Sequence, residues 1–559
     1  MHNTIKTFAI NTFKTRFKFE ASIFSCFRRH GSYYITTPIF YVNSAPHLGH
    51  LYTALIADAS HRFQQLLGQN DTFFATGTDE HGSKIQQAAV NANMSLPDFC
   101  KRISDEYKLM FTHFDVKYSD FVRTSEDRHV LAVQHFWKEL KCRGHIYKGS
   151  YAGWYCVADE AFLTESQLKV QKLSDGREIN VSSESGRIVE WTEEDNYKFK
   201  LAHFKDDLLH WLKNEKTVQP LKFHKMLVRW IEEGAMDADL SISRPAKRVH
   251  WGVPVPDDAD QTVYVWLDAL VNYLTVVGYP GQMSKWPPSV HVVGKDILKF
   301  HAIYWPCFLL ASGLEPPRSV QVHSHWIIDG EKMSKSLGNV VDPMQAADKF
   351  TSSGLRYFLL REGTPHSDAN FNEEKAINLM NAELADTLGN LLNRCTGKTV
   401  NALQIFPKFS AENYTRYCSS SAAILQERLT VLPDEVADHY KHFNFYRGIE
   451  EIILTLHEAN RFFESNKPWE LRKSKDSRDH LDIVLHIVME TLRISAIGLQ
   501  PIIPELSSII LNKLGIPSNH RLWGHMKCSF AKDSTSETCE QRIIPKENVL
   551  VYKKIALKK

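Results

Sequence analysis

Two short clusters in this chain carry side chains suited to handling phosphate. His47-Leu48-Gly49-His50 sets two imidazoles about one helical turn apart, directly after the turn-forming stretch from Asn43 to Pro46. Lys332-Met333-Ser334-Lys335-Ser336 sets two ammonium groups on a loop opened by Gly330-Glu331. Imidazole N–H groups at a helix start, together with the helix dipole, suit phosphate oxygens. Two lysines on a loop can close over a polyphosphate and stabilise charge as it moves onto a leaving pyrophosphate. None of these groups has to act as a nucleophile. Alone, a His-x-x-His is more often a packing pair and a lysine-rich turn a solvated one.

The elements around the clusters place them at one end of a sheet. Tyr33 to Thr37 predicts a short buried strand, broken by Pro38. A helix is expected from His47, with Leu48, Leu51, Leu55, Ile56, Phe63, Leu66 and Leu67 on its apolar side and Gly68 at its end. Thr72 to Thr76 predicts a second strand, Gly77 to Gly82 a loop, and Ser83 to Val90 a second helix. This order opens a doubly wound α/β domain, a Rossmann-like parallel sheet. Ligands of such sheets bind at the carboxyl ends of the strands, where both His47–His50 and Asp79–Gly82 fall. From about Gly144 to Trp251 aromatic short strands and polar stretches indicate an insertion. The α/β pattern returns at Thr262 to Leu267 and at Val290 to Gly294, and Val320 to Ile328 precedes the lysine loop. From Glu373 the spacing is helical, a bundle, with the next strand signal only at Val549 to Ile555.

The 559 residues exceed what one core organises, so about three or four domains are expected. With 43% hydrophobic and 24% charged residues the composition is that of an ordinary soluble enzyme. The net charge of +2 excludes a global basic field, so any RNA must be held by a local face. The nine cysteines are scattered and odd in number, which suits reduced thiols. No apolar run approaches the ~18–20 residues that span a bilayer, so no membrane association is expected. The first 32 residues carry Lys6, Lys14, Arg16, Lys18, Arg28 and Arg29 against one acid, Glu20, with phenylalanines interleaved. Such a basic, acid-poor, amphipathic start is expected to be a mitochondrial transit peptide and implies the mitochondrial matrix; a basic tail is the alternative.

In this order, the two clusters resemble the two signatures of class I aminoacyl-tRNA synthetases. Their surroundings are similar to methionyl-tRNA synthetases in six separated blocks: Tyr34 to Asn43, Thr76 to Gly82, Tyr264 to Ala269, Gly294 to Ile297, Phe300-His301 and Trp305-Pro306. The resemblance runs from about residue 33 to the C-terminus. It implies a ligase that uses ATP with Mg²⁺ to make methionyl-adenylate and then charges methionine tRNA. His47, His50, Lys332 and Lys335 would carry the chemistry. His47, His50, Gly294, Asp296, Ile327 and Lys335 would hold ATP. Asp79 would take the methionine ammonium, with Ile39, Tyr41, Trp266, Ala269, Tyr273, Ile297, His301 and Trp305 around the rest of the substrate. Asn390 and Arg394, four apart on one helix, and Trp469 in a helix break would read the anticodon. A thioether is apolar and polarizable, which suits an aromatic pocket. Trp305 as plain core and Trp469 as the cap of a hydrophobic core stay open alternatives, as do a leucine-, valine- or cysteine-type synthetase and an inactive RNA-binding paralogue.

The expected organisation is a transit peptide over 1–32, the sheet domain's first half over 33–143, an inserted connective, acceptor-end domain over 144–252 and the second half over 253–320. The lysine-loop and stem-contact region covers 321–375, and a helical anticodon-binding domain 376–559. A monomer is expected. Two departures from many relatives stand out. Leu270 replaces a proline of the pocket wall. Cys156 is followed by Asp159 where a second cysteine would complete a Cys-x-x-Cys pair, and the next cysteine is Cys307. A tetrahedral site needs about four Cys or His ligands. Elemental analysis of the purified protein is therefore expected to find no stoichiometric zinc, and chelators should not unfold it; one zinc per chain would refute this.

Overall fold

The computed structural model describes residues 32–557 apart from 157–160, 164, 166–167, 174–175, 184–185, 329, 334–338 and 532–540. The expected transit segment, Asp159 and Lys335 lie outside the described residues.

Seven strands form one main sheet, numbered here in chain order: β1 Tyr33–Thr36, β2 Phe40–Tyr41, β3 Thr72–Asp79, β4 Asp120–Arg123, β5 Val218–Gln219, β6 Val290–Gly294 and β7 Val320–His323. Every pairing is parallel. The spatial order runs β5, β7, β6, β1, β3, with β2 and β4 both on β3. Strands from the first part of the chain run one way from β1, and strands from the second part run the other way from β6. The order therefore reverses between β1 and β6, and a crevice opens at their carboxyl ends.

Helix α1 (Leu48–Leu66) starts at the expected place. His47 is its N-cap: its Nδ1 accepts from the Gly49 N–H at 3.0 Å, while the His50 Nδ1 accepts from the His47 N–H at 3.2 Å. Gly68, at φ +87°, turns the chain away just past the helix end. Strand β3 extends to Asp79, further than the loop expected from Gly77. The reason is visible at Gly77, where a Cβ would stand 2.0 Å from the Val122 carbonyl oxygen. The glycine permits close approach of β4 and does not mark a turn.

The insertion builds its own antiparallel sheet, in which Ile146–Cys156 pairs with Glu190–Phe199 along its length and with Ala161–Leu163. Two expectations are corrected. Asp258–Val263 is a strand of a separate three-stranded antiparallel sheet, while Val265 to Leu267 begin helix α3 (Val265–Thr275), which packs on α2 (Asp127–Cys142). A continuous apolar run does not distinguish a buried strand from a buried helix. Val549 to Ile555 forms no strand. It docks as irregular chain with a bend at Val551, burying Val551 and Tyr552, with the Tyr552 hydroxyl donating to the Phe350 carbonyl at 2.8 Å. The late strand pairing is instead Ile405–Phe406 with Arg542–Ile543.

The C-terminal region packs Ala423–Lys441, Phe445–Asn466, Arg478–Leu499 and Pro504–Lys513 as helices. Its hydrophobic core is continuous with that around α1. Helix α4 (Ser352–Glu362) joins the two through Arg356, a side chain 2% exposed. Its guanidinium reaches Asp58 on α1 at 2.7 Å, the Phe114 carbonyl at 2.8 Å, and the Ile502 and Pro501 carbonyls at 2.9 and 3.2 Å. Burial alone would raise the Asp58 carboxyl; Arg356 and Arg62 reverse this and hold it below the usual carboxylate range. Arg356→Met should destabilise the protein by about 3–5 kcal/mol, because it leaves a buried carboxylate short of its cation. An Arg356→Met/Asp58→Leu double variant should cost less than the two single changes together. Equilibrium denaturation checks both.

Candidate active site

A cavity of about 430 Å³ opens at the carboxyl ends of β1 and β6. At one end lies the start of α1. The His47 and His50 rings stack 3.7 Å apart between centroids. Each accepts a backbone N–H at Nδ1, so in the neutral form each carries its proton on Nε2. The Tyr107 hydroxyl stands 3.0 Å from the His50 Nδ1. The capping geometry thus turns two imidazoles into oriented donors at a helix N-terminus, a pattern that suits phosphate. The flanks of the lysine loop meet this end. Glu331–Lys332 pairs with Ile327–Ile328, Met333 lines the cavity, and the Val341 carbonyl accepts from the Leu48 N–H at 3.1 Å.

Gly294 and Asp296 form the adjoining wall. A Cβ on Gly294 would meet the Asp296 Oδ1 at 2.7 Å, so any larger residue would push that carboxylate aside. Asp296 Oδ1 lies 3.1 Å from the His325 Nε2. Behind them Asp368 accepts from the Lys295 ammonium at 2.7 Å and from the His325 N–H at 2.8 Å. Burial would raise the Asp368 carboxyl, but Lys295 and His325 bring it below its ordinary value.

Asp79 ends β3 at the other side, 7% exposed, with its backbone paired to Tyr41. Its two followers point into protein. Glu80 is ion-paired to Arg123 at 2.7 Å and accepts from the Ser104 and Ser125 hydroxyls. Burial would raise Glu80, but these partners hold it below the ordinary glutamate value. The His81 Nδ1 lies 2.6 Å from Asp268 on α3. His129 on α2 lies 2.9 Å from the other Asp268 oxygen. Burial would raise Asp268 as well, yet the two imidazoles bring it down to about 2.

The third wall comes from α3 and from the helical segments Lys295–Ile297 and Phe300–Tyr304 that lead into the helix Trp305–Ser312. Trp266, Ala269, Leu270 and Tyr273 line it with Ile297 and His301. Trp266 stacks on Phe300 at 3.6 Å. The His301 Nδ1 donates to the Ile297 carbonyl at 2.9 Å, so its Nε2 accepts the Tyr273 hydroxyl at 2.7 Å. Burial pushes His301 down to about 4, so the ring is neutral near pH 7. The pair satisfies itself, and an apolar ligand beside it strands no donor.

Most of the side chains expected at the site meet at this cavity: Ile39, Tyr41, His47, His50, Asp79, Trp266, Ala269, Tyr273, Gly294, Asp296, Ile297 and His301 all line it. Two stand apart. Trp305 is fully buried behind the wall, its indole N–H donating to the His291 Nε2 at 3.3 Å, and the His291 ring in turn lies tilted against Tyr273, 4.1 Å between centroids. Ile327 lies next to the wall residue Trp326, with its carbonyl taken by the Phe371 N–H at 2.8 Å. Sequence reasoning missed His323, His325, Lys84 and the Asp268–His129 pair. An aspartate or histidine inside an otherwise apolar run, as at Asp268 and His291, was the available signal; His129, which follows Glu126-Asp127-Arg128, gave none.

Far along the chain, Arg394 and Trp469 also come together. The guanidinium lies 4.8 Å over the Phe463 ring and 5.8 Å over the Trp469 ring, and pairs with Glu464 at 2.7 Å. Trp469 is 37% exposed, and Asn390 is exposed at the start of the helix that carries Arg394.

Residues 33–396 match the family model described as tRNA synthetases class I (M). The chain is 46% identical over 508 residues to the human mitochondrial methionine–tRNA ligase, covering 88% of this chain and 85% of that protein. It is 47% identical over 506 residues to the Xenopus laevis mitochondrial methionine–tRNA ligase, covering 90% and 89%. The structure of Mycobacterium tuberculosis methionyl-tRNA synthetase in complex with methionyl-adenylate superposes with a TM-score of 0.85 at 35% identity, covering 93% of this chain and 99% of that one. With the cavity at the switch point, the paired imidazoles at its helix start and a match that spans both halves of the sheet, the chain belongs to the methionyl-tRNA synthetases of class I.

Proposed function

We propose that this chain activates methionine with ATP to methionyl-adenylate and passes methionine to the 3′-terminal adenosine of methionine tRNA, as a monomer in the mitochondrial matrix. The single observation that carries this reading is the cavity itself. A nearly buried carboxylate, Asp79, faces it at one side, a self-satisfied aromatic and imidazole wall closes another, and two oriented imidazoles stand at a helix start beyond. Methionine fits this order of groups. Its ammonium pairs with Asp79, a charge-assisted bond strengthened by burial. Its thioether lies against Tyr273, Trp266 and His301. Its carboxylate is left facing the α-phosphate of an ATP whose ribose lies at Gly294 and Asp296. Mg²⁺ arrives with the ATP phosphates as part of the substrate.

Attack of the carboxylate oxygen on the α-phosphorus breaks the bond to the β-phosphate oxygen, and pyrophosphate leaves. Charge moves onto pyrophosphate, toward the Nε2–H groups of His47 and His50 and the ammonium groups of Lys332 and Lys335. The tRNA hydroxyl then attacks the acyl carbon and AMP departs. The insertion over 144–252 would hold the acceptor end. In the helical region, Asn390, Arg394 and the exposed Trp469 ring would take the anticodon by base stacking and edge contacts.

Amino-acid-dependent ATP–pyrophosphate exchange with all twenty amino acids tests the reading; exchange with methionine alone is expected. Lys335→Ala should lower the adenylation rate far more than methionine affinity, since its charge acts mainly as pyrophosphate departs. Pre-steady-state adenylate formation separates the two terms, and an equal loss in both would refute the role. Trp469→Ala should leave exchange nearly intact while lowering aminoacylation roughly ten- to a hundredfold, the loss of one base stack of about 1–3 kcal/mol. Parallel loss of both activities and of thermal stability would make Trp469 a core residue.

A further inference from the structure

The buried web around Asp268 is not needed for any chemical step, yet it joins the two ends of the amino-acid cavity. Asp268 is 1% exposed on its side chain, and each carboxylate oxygen meets a different imidazole, His81 at 2.6 Å and His129 at 2.9 Å. The His129 Nδ1 is backed by the Thr275 hydroxyl at 2.9 Å. His81 lies two residues beyond Asp79, and its backbone N–H points to the Asp79 Oδ1 at 3.4 Å. Asp268 sits on α3, the helix that also carries Trp266, Ala269 and Tyr273 on the cavity wall. The other anchor of the same loop, Glu80, is tied elsewhere, to Arg123 on β4, to Ser104 on the helix Leu96–His113 and to Ser125. The Asp268–His81 contact is thus a direct polar link from the Asp79 loop to the wall that meets the far end of the substrate.

We propose that Asp268, acting through His81, is a positioning residue that sets the distance between the ammonium-binding carboxylate of Asp79 and the side-chain wall on α3, and so measures substrate length. The inference rests on the reading of Asp79 as the ammonium site. Cavity fit by itself distinguishes neighbours one methylene apart by about 10- to 200-fold, and only if the walls hold their spacing. A wall free to shift relative to Asp79 would accept longer and shorter chains, while leaving the surface that touches the sulfur unchanged. Length selectivity and sulfur selectivity should therefore separate.

The test is ATP–pyrophosphate exchange by the full chain with methionine, ethionine (one methylene longer), S-methylcysteine (one methylene shorter) and norleucine (equal length, sulfur replaced by methylene). Asp268→Asn is expected to lower the methionine preference over ethionine and S-methylcysteine by about tenfold or more. The preference over norleucine should stay within about twofold. His81→Leu should reproduce this pattern, and His81→Asn, which keeps a donor near the position of Nδ1, should restore the length preference. The His81 pair decides the matter if Asp268→Asn fails to fold. Unchanged length ratios, or a norleucine ratio that moves as far as the ethionine ratio, would overturn the proposal. Asp79→Ala, run alongside, must lose exchange; retained exchange would overturn the reading of the ammonium site and the proposal with it.

Discussion

The ion pair between Asp58 and Arg356 holds the catalytic sheet and the helical region as one body. Asp58 lies in the middle of α1, fully buried, where an ionised carboxylate is several kcal/mol unfavourable without partners (roughly, by the usual penalty for burial). Its oxygens take the Lys117 N–H at 2.8 Å, the Arg62 guanidinium at 2.8 Å and Arg356 at 2.7 Å. Arg356 spends its other donors on carbonyls at Phe114, Pro501 and Ile502. One guanidinium thus anchors α1, the chain after the helix Leu96–His113, and the C-terminal helices. Since His47 caps α1, that anchor holds the helix at whose start the paired imidazoles stand.

The cavity wall follows a related rule on a smaller scale. Its polar groups are satisfied by one another before any ligand arrives. His301 lies between Tyr273 and a carbonyl, His291 between Thr36 and Trp305, and His323 between Thr53 and a carbonyl. Burial pushes His301 and His323 down to about 4 and His291 well below its ordinary value. Three histidines near the site therefore add no positive charge near pH 7. Asp79 and Lys84 are the charged side chains lining that end of the cavity, and a carboxylate held there favours a cationic partner. At the other end of the cavity the helix start at His47 supplies the opposite sign.

The loop that carries Asp79 is also tied to the base of the insertion. The Trp251 indole N–H donates to the Glu80 carbonyl at 2.5 Å, the Trp251 carbonyl accepts from the Gly82 N–H at 3.2 Å, and the Trp251 N–H meets Gln86 at 3.0 Å. The chain returns from the insertion through Trp251, so the piece proposed to hold the acceptor end shares a hydrogen-bonded seam with the loop that carries Asp79. Rigid support from two sides is what a preorganised carboxylate requires.

Much of this architecture was legible from residue order alone. The strand at Tyr33, the helix opened by His47 and closed at Gly68, and the crevice shared by His47–His50 and Asp79–Gly82 follow from local periodicity and turn chemistry, which sequence records directly. So do the change of pattern at the insertion and the helical C-terminal half. What remained hidden was long-range. Gly77 looks like a turn until β4 is placed against it, and Val265 to Leu267 look like a strand until α2 and α3 pack. Trp305 looks like a pocket residue until His291 and Tyr273 fill the space in front of it. Asp268, His81 and His129 are scattered along the chain, and no spacing rule links them. Local patterns are set by neighbours three or four residues apart, whereas buried polar partners are chosen by whichever donors the packed core brings within about 3 Å. Sequence by itself determined the elements and the chemistry they present; only the tertiary structure decided which buried groups hold that chemistry in place.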